Sequence, residues 1–195
     1  MSSLAYDCSL NTERTSKMRF IEITLRDAWL LEPSFVSDER GYFMRTFCQH
    51  AFAEQGLETR FVQHSKSYSA TRGTLRGMHY QMAPHSEVKV VGCYSGVIYD
   101  VIVDMRPASP TYLKWQAFEL SAENQRQLYV PPGFAHGFQS LTDGAGVSYL
   151  ISNFYEPSAS TGVSYDDPAL GIRWPLPVSV MSDRDRMWAR LAEYA

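Results

Sequence analysis

The chain has 195 residues, 45% of them hydrophobic and 20% charged, which is enough apolar material for one sizeable core and makes no demand for a second. A formal net charge of −3 gives no general attraction to nucleic acid or to an anionic membrane, so any anion must be met by local groups. Cys8, Cys48 and Cys93 are neither even in number nor closely spaced, which argues against a disulfide framework or a zinc knuckle and for a reducing, cytoplasmic setting.

Residues 1–17 read as a polar, loose tail without the apolar stretch of a signal peptide, and 18–195 as a single domain. No run of about 18 apolar residues occurs, so no membrane span is expected. From Phe20 onward the chain breaks into short β-branched and aromatic runs separated by Gly, Pro, Asn and Asp. Strands are expected at Arg19–Ile23, Ala28–Leu31, Gly41–Thr46, Phe61–Ser67, Thr74–Gln81 and Val88–Tyr94. Further strands are expected at Val97–Asp104, Leu113–Leu120, Gln127–Val130, Ala135–Leu141 and Val147–Asn153. Tyr94-Ser95-Gly96 and Thr142-Asp143-Gly144 carry hairpin chemistry. Two short helices complete the set, Gln49–Gln55 stopped by Gly56, and Asp183–Ala192 capped by Ser182. So many strands in one domain call for a closed or sandwiched all-β architecture, and the irregular connections suit a jelly roll better than an up-and-down barrel.

Several strands place polar groups where a half-buried strand should be apolar. Leu75, Gly77, His79 and Gln81 alternate onto one face, Lys89 interrupts the apolar run Val88–Val91, His136 lies in a tight glycine-rich turn, and Tyr149 sits on the last strand. Such groups are costly in a core unless hydrogen-bonded or lining a wet cavity, so His79, Lys89, His136 and Tyr149 are candidates to converge on one pocket. Taken singly, each also fits an ordinary, satisfied core or edge side chain. In Ser37–Arg45 a polar turn runs into an aromatic strand, a combination suited to phosphate plus a stacked base, or equally to a plain turn with a salt bridge.

A metal set of His79, His85, Glu87 and His136 would need at least two imidazoles to converge, yet the two-apart histidine pair is absent and His85 follows Pro84 in a loop. No metal or organic cofactor is therefore expected. Hydrolase elbows, Walker loops and dinucleotide fingerprints are missing, and Cys93 has no paired histidine in sequence. Acid–base chemistry by histidine and tyrosine remains.

The segments Asp38–Phe43, Leu75–Gln81, Gly96–Asp104, Leu120–Asn124, Pro131–Phe138 and Asp166–Pro175 resemble, in order, those of the dTDP-4-dehydrorhamnose 3,5-epimerases, across roughly Arg19 to Asp185. The resemblance implies an all-β, cupin-type jelly-roll barrel with short flanking helices, a homodimer formed partly by exchanged N-terminal strands, and metal-free epimerisation at C3, C5 or both of a nucleotide-linked 4-keto-6-deoxyhexose. It implies His79 as base, Asp185 as its orienting carboxylate, Tyr149 as acid on the opposite ring face, Lys89 near the sugar oxyanion and His136 as a second pocket histidine. Arg40, Phe43, Gln63, Arg76 and Phe154 fall where the family contacts diphosphate and base.

Two departures bear on the base: Arg45 stands where thymidine-specific members usually carry glutamate, and Gln63–Gly73 differs from the usual Gln-Asp-Asn-His-Ser stretch. Both dTDP and CDP remain open as the carrier. Strict alternation also puts Arg76 on the face opposite His79, so one ligand meets both only across a bulge at Gly77. The competing expectations are a metal-dependent cupin oxygenase or isomerase, and a sugar-nucleotide binding module without turnover.

Overall fold

The computed structural model describes residues 18–193; the expected tail over 1–17 lies outside the described residues. In chain order the strands are β1 (Arg19–Glu22), β2 (Trp29–Glu32), β3 (Phe35–Asp38), β4 (Gly41–Met44), β5 (Gln63–Ser69), β6 (Leu75–Gln81) and β7 (Lys89–Ser95). They continue with β8 (Val97–Asp104), β9 (Trp115–Ser121), β10 (Gln127–Val130), β11 (Phe134–Ser140), β12 (Ala145–Ile151) and β13 (Ser160–Gly162). A six-stranded sheet, β1-β2-β10-β7-β12-β5, faces a five-stranded sheet, β13-β6-β11-β8-β9, and β3 pairs with β4 in a separate hairpin. Non-consecutive neighbours in both sheets are the crossovers of a jelly roll.

Period-two alternation divides the apolar residues among three layers. Val91, Ile98, Ile102, Leu128, Phe138 and Val147 belong to the cluster between the sheets. Met78, Val101, Val103 and Ala135 turn outward from the five-stranded sheet and are covered by the C-terminal segment through Leu170, Ile172 and Trp174. On the six-stranded sheet Leu31, Val90 and Tyr129 pack beneath the short helix α1 (Gln49–Glu54) through Phe52. Among the described residues no helix is long and apolar enough to cross a membrane.

The expected helix over Asp183–Ala192 is shorter. Helix α2 spans only Asp183–Arg186, with Ser182 capping the Asp185 amide as expected, and Leu191–Glu193 form a separate 3-10 turn. The Ser164 amide donates to the Ala189 carbonyl at 3.0 Å, and the Leu191 amide donates to Asp167 at 2.6 Å. Those tertiary bonds hold the chain out of helical geometry between the two turns. Strands β3 and β13 were not anticipated, because three or four residues carry too little periodicity to stand out.

Between β6 and β11, His136 opposes His79 but Phe138 opposes Arg76, so β6 carries one extra residue over this interval. The bulge sits at Gly77, whose φ is +116°. A Cβ there would meet Gly137 Cα at 2.5 Å and the His136 carbonyl oxygen at 2.6 Å, so only glycine allows the two strands to approach. Gly77→Ala is expected to cost at least about 2 kcal/mol of stability, from backbone strain and a contact that only a strand shift relieves. Urea denaturation of the two proteins measures it.

Candidate active site

The bulge decides which side chains enter the interior. Arg76 and His79 are three residues apart and would face opposite ways in a regular strand. With the extra residue between them, both point into the space between the sheets. Arg76 reaches β5 on the facing sheet, donating to Ser69 Oγ at 3.2 Å and to the Tyr68 carbonyl at 2.9 Å. His79 lines a cavity of about 170 Å³ with Lys89, Glu87, Gln63, Tyr155 and Arg184.

His136 lies across the ladder from His79, and its Nε2 pairs with Asp100 Oδ2 at 2.8 Å, both side chains almost fully buried. The His136 ring meets the Tyr149 ring edge-on with centroids 6.4 Å apart. Tyr149, on the facing sheet, shares a 3.1 Å hydrogen bond with Ser67. His79 and Lys89 thus line the cavity, while His136 and Tyr149 lie outside its lining, ring against ring in the interior between the sheets.

The electrostatics follow from burial. Burial first, then the positive fields of Lys89, His136 and Arg184, push the His79 imidazole well below its usual range, so at neutral pH it is uncharged and able to accept a proton. The Tyr149 phenol is driven up from its usual value, chiefly by burial, with the Ser67 hydrogen bond and the Arg76 charge opposing in part. It therefore holds its proton at neutral pH. A neutral imidazole and an intact phenol, both buried between the same two sheets, have the protonation states of a base and an acid.

Lys89 is engaged with Glu87 in an ion pair of 3.0 Å, the side chains only 10% and 6% exposed. His85 is not gathered with His79 and His136, and among the described residues no three His, Cys, Asp or Glu side chains are grouped to hold a metal ion. The Cys93 thiol, pushed up by burial, donates to the Ser95 carbonyl at 3.1 Å, which fits its expected structural role.

Other expected site residues lie elsewhere. Asp185 accepts from the Gly77 amide at 3.2 Å and from Trp188 Nε1 at 3.4 Å, whereas the buried His79 Nδ1 has no hydrogen-bond partner among the described residues. The carboxylate thus reaches the bulge beside the histidine rather than its ring. Arg40 is ion-paired with Asp38 at the exposed turn of the β3–β4 hairpin, where Phe43 is 67% exposed and Arg45 is also at the surface. None of Arg40, Phe43 or Arg45 reaches the cavity within a single chain. Phe154 is 63% exposed, while its neighbour Tyr155 lines the cavity.

Arg184, on α2, was not singled out from the sequence. It donates to the Tyr155 hydroxyl at 2.9 Å and to Ser160 at 2.5 Å, with its guanidinium 5.4 Å from the Trp188 ring centre. An arginine on a short polar helix carries no signal of its own. Asp100 did carry one: it is the carboxylate amid Tyr99, Val101 and Ile102 of β8, buried completely.

Residues 22–193 match the family model described as dTDP-4-dehydrorhamnose 3,5-epimerase. A protein of that name from Methanothermobacter thermautotrophicus is 44% identical over 181 residues, covering 91% of this chain and 97% of its own length. The crystal structure of the Bacillus anthracis enzyme of that name, with TDP and pyrophosphate bound, is 42% identical with a TM-score of 0.87, covering 89% of this chain and 99% of its own. A Legionella pneumophila 3,5-epimerase in complex with dTDP-4-keto-L-rhamnose is 38% identical with a TM-score of 0.85, over 90% of this chain and 93% of its own. Match to the family model over nearly all the described residues, together with identity near two-fifths across whole chains, establishes that this chain belongs to the dTDP-4-dehydrorhamnose 3,5-epimerases, isomerases of deoxysugar biosynthesis.

Proposed function

We propose that the protein inverts C3, C5 or both of a nucleotide-diphospho-4-keto-6-deoxyhexose, with His79 removing a ring proton beside the ketone and Tyr149 returning one to the other face. The observation that carries this is the pairing of an uncharged buried imidazole with a protonated buried phenol in the same interior. As the C–H bond breaks, its electron pair moves into the ring and the ketone oxygen becomes an enolate oxyanion. The Lys89 ammonium stabilises that charge, which in a water-poor site is worth far more than in water. When the enolate collapses, carbon takes the phenolic proton from the opposite side, and the centre is inverted. Imidazolium and phenolate then exchange protons with solvent, so no co-reactant is consumed.

Asp185 acts as a positioning residue, fixing the Gly77 bulge that turns His79 inward. Gln63 and Arg76 serve the diphosphate end of the ligand, and the His136–Asp100 pair supports the wall between acid and base. Arg40, Phe43 and Arg45, exposed on a hairpin, and Phe154 complete the nucleotide site in a homodimer whose N-terminal strands are exchanged. Phe35, Val36, Tyr42 and Phe43 are all at least half exposed in the single chain, an apolar hairpin surface that pairing with a second copy would cover. Arg45 and the Gln63–Gly73 stretch leave dTDP and CDP as the two carriers to compare. Among the described residues Cys48 and Cys93 form no disulfide, which supports a cytoplasmic setting.

Incubation in deuterated water with dTDP- and CDP-linked 4-keto-6-deoxy sugars tests the proposal, since wild-type protein should place deuterium at the carbon it inverts. Absence of exchange with every member of that panel would sink it. Tyr149→Phe is expected to keep deuterium exchange while losing inversion by about 100-fold or more, because His79 still removes the proton but only its own face is reprotonated. Mass spectrometry reads the exchange and proton NMR coupling constants read the configuration.

A further inference from the structure

Glu87 is a buried carboxylate, at 8% exposure, and it lies on the cavity wall with His79. Its Oε1 contacts Lys89 Nζ at 3.0 Å, and its buried Oε2 has no hydrogen-bond partner among the described residues. A carboxylate in such a place is tolerated only through the attraction of its counter-ion, and removing either partner strands the other. Lysine brings four rotatable bonds and a compact charge to the pocket, so without a tether its ammonium would spread over many positions. Around His79, the positive fields of Lys89, His136 and Arg184 act on its ring. Asp100 is taken up by His136, and Asp185 by the Gly77 amide and Trp188. Glu87 is the carboxylate that contacts Lys89 itself.

We propose that Glu87 is a positioning residue for the reaction: it pins the Lys89 ammonium at one point of the cavity wall, where a bound ketone oxygen meets it, and offsets part of the lysine's field on His79. The proposal rests on the proton-transfer function above, and goes beyond it by naming what places the cation. Nothing covalent changes at Glu87 itself. An ammonium misplaced by about an ångström forfeits up to about 100-fold in rate.

Glu87→Asp keeps the charge and shortens the reach, whereas Glu87→Gln keeps the length and removes the charge. Glu87→Asp is expected to lower kcat about 10- to 100-fold with KM little changed. Glu87→Gln is expected to lower kcat similarly and also to move the His79 titration to lower pH, since the lysine's field is no longer offset. That titration is read in the free protein from the imidazole ring protons by NMR, so it needs no turnover. A structural role alone would cost stability without moving the histidine. Wild-type kcat in Glu87→Asp, or an unmoved or raised His79 titration in Glu87→Gln, would overturn the proposal. Wild-type protein that exchanges no deuterium would instead defeat the epimerase function, while the NMR titration still decides whether Glu87 governs the charge at His79.

Discussion

Replacing His79 with asparagine is expected to lower solvent-deuterium exchange into the sugar by about 1,000-fold, the usual contribution of a positioned general base. Asparagine roughly preserves the size of the side chain and its hydrogen bonding but has no basic nitrogen, so the cavity should survive while proton removal does not. Binding of a nucleoside diphosphate, measured by calorimetry, should stay close to wild type. The loss should appear in kcat more than in KM, because the interaction removed is made in the transition state. A variant that exchanged deuterium at the wild-type rate would transfer the base to another residue. His136 would then be next in line, as its ring lies across the ladder from His79 and against Tyr149.

Loss of the Lys89 ammonium should be nearly as damaging, for a different reason. Lys89→Met removes the charge proposed to stabilise the enolate, and kcat is expected to fall by about 100- to 1,000-fold. The same substitution changes the pH profile. The His79 imidazole is held low first by burial and next by Lys89, so losing the lysine lets it rise towards its usual range. Since the base acts only when uncharged, the acid limb of kcat/KM should move to higher pH, with activity lost on acidification sooner than in wild type. Removal of the lysine also leaves Glu87 buried without its counter-ion, at a cost of about 3–5 kcal/mol in stability. Thermal unfolding measures that cost separately, and the variant must be assayed below its own melting temperature. A folded Lys89→Met protein with an unmoved acid limb would show that the ammonium does not act on His79.

Much of the architecture was legible because periodicity is a local property. Eleven strands were readable as apolar alternation bounded by turn residues, and each corresponds to an observed strand within a few residues at its ends, ten in the two facing sheets and one in the β3–β4 hairpin. Short segments failed: Phe35–Asp38 and Ser160–Gly162 form strands only because a partner supplies their hydrogen bonds. The C-terminal helix failed in the opposite sense, since Ser164 and Asp167 draw its middle into tertiary bonds. In the site, polar residues breaking an apolar pattern pointed to His79, Lys89, His136 and Tyr149, and the family resemblance supplied their suggested roles. The same logic applied to β8 would have found Asp100. Nothing comparable marks Arg184, whose place in the cavity depends on how α2 docks against β6.

By itself the chain's order of residues determined the all-β class, the strand positions and the family, because these depend on alternation, turn chemistry and motifs that neighbouring residues carry together. Which way Arg76 and His79 face was a tertiary matter, settled by one extra residue at Gly77 where two backbones meet too closely for a side chain. The pairing of Lys89 with Glu87 was settled in the same way, as was the contact of the Asp185 carboxylate with a backbone amide of β6. Hydrogen bonds and ion pairs act over about 3 Å between groups that can be a hundred residues apart, and only the packed sheets bring them within that range.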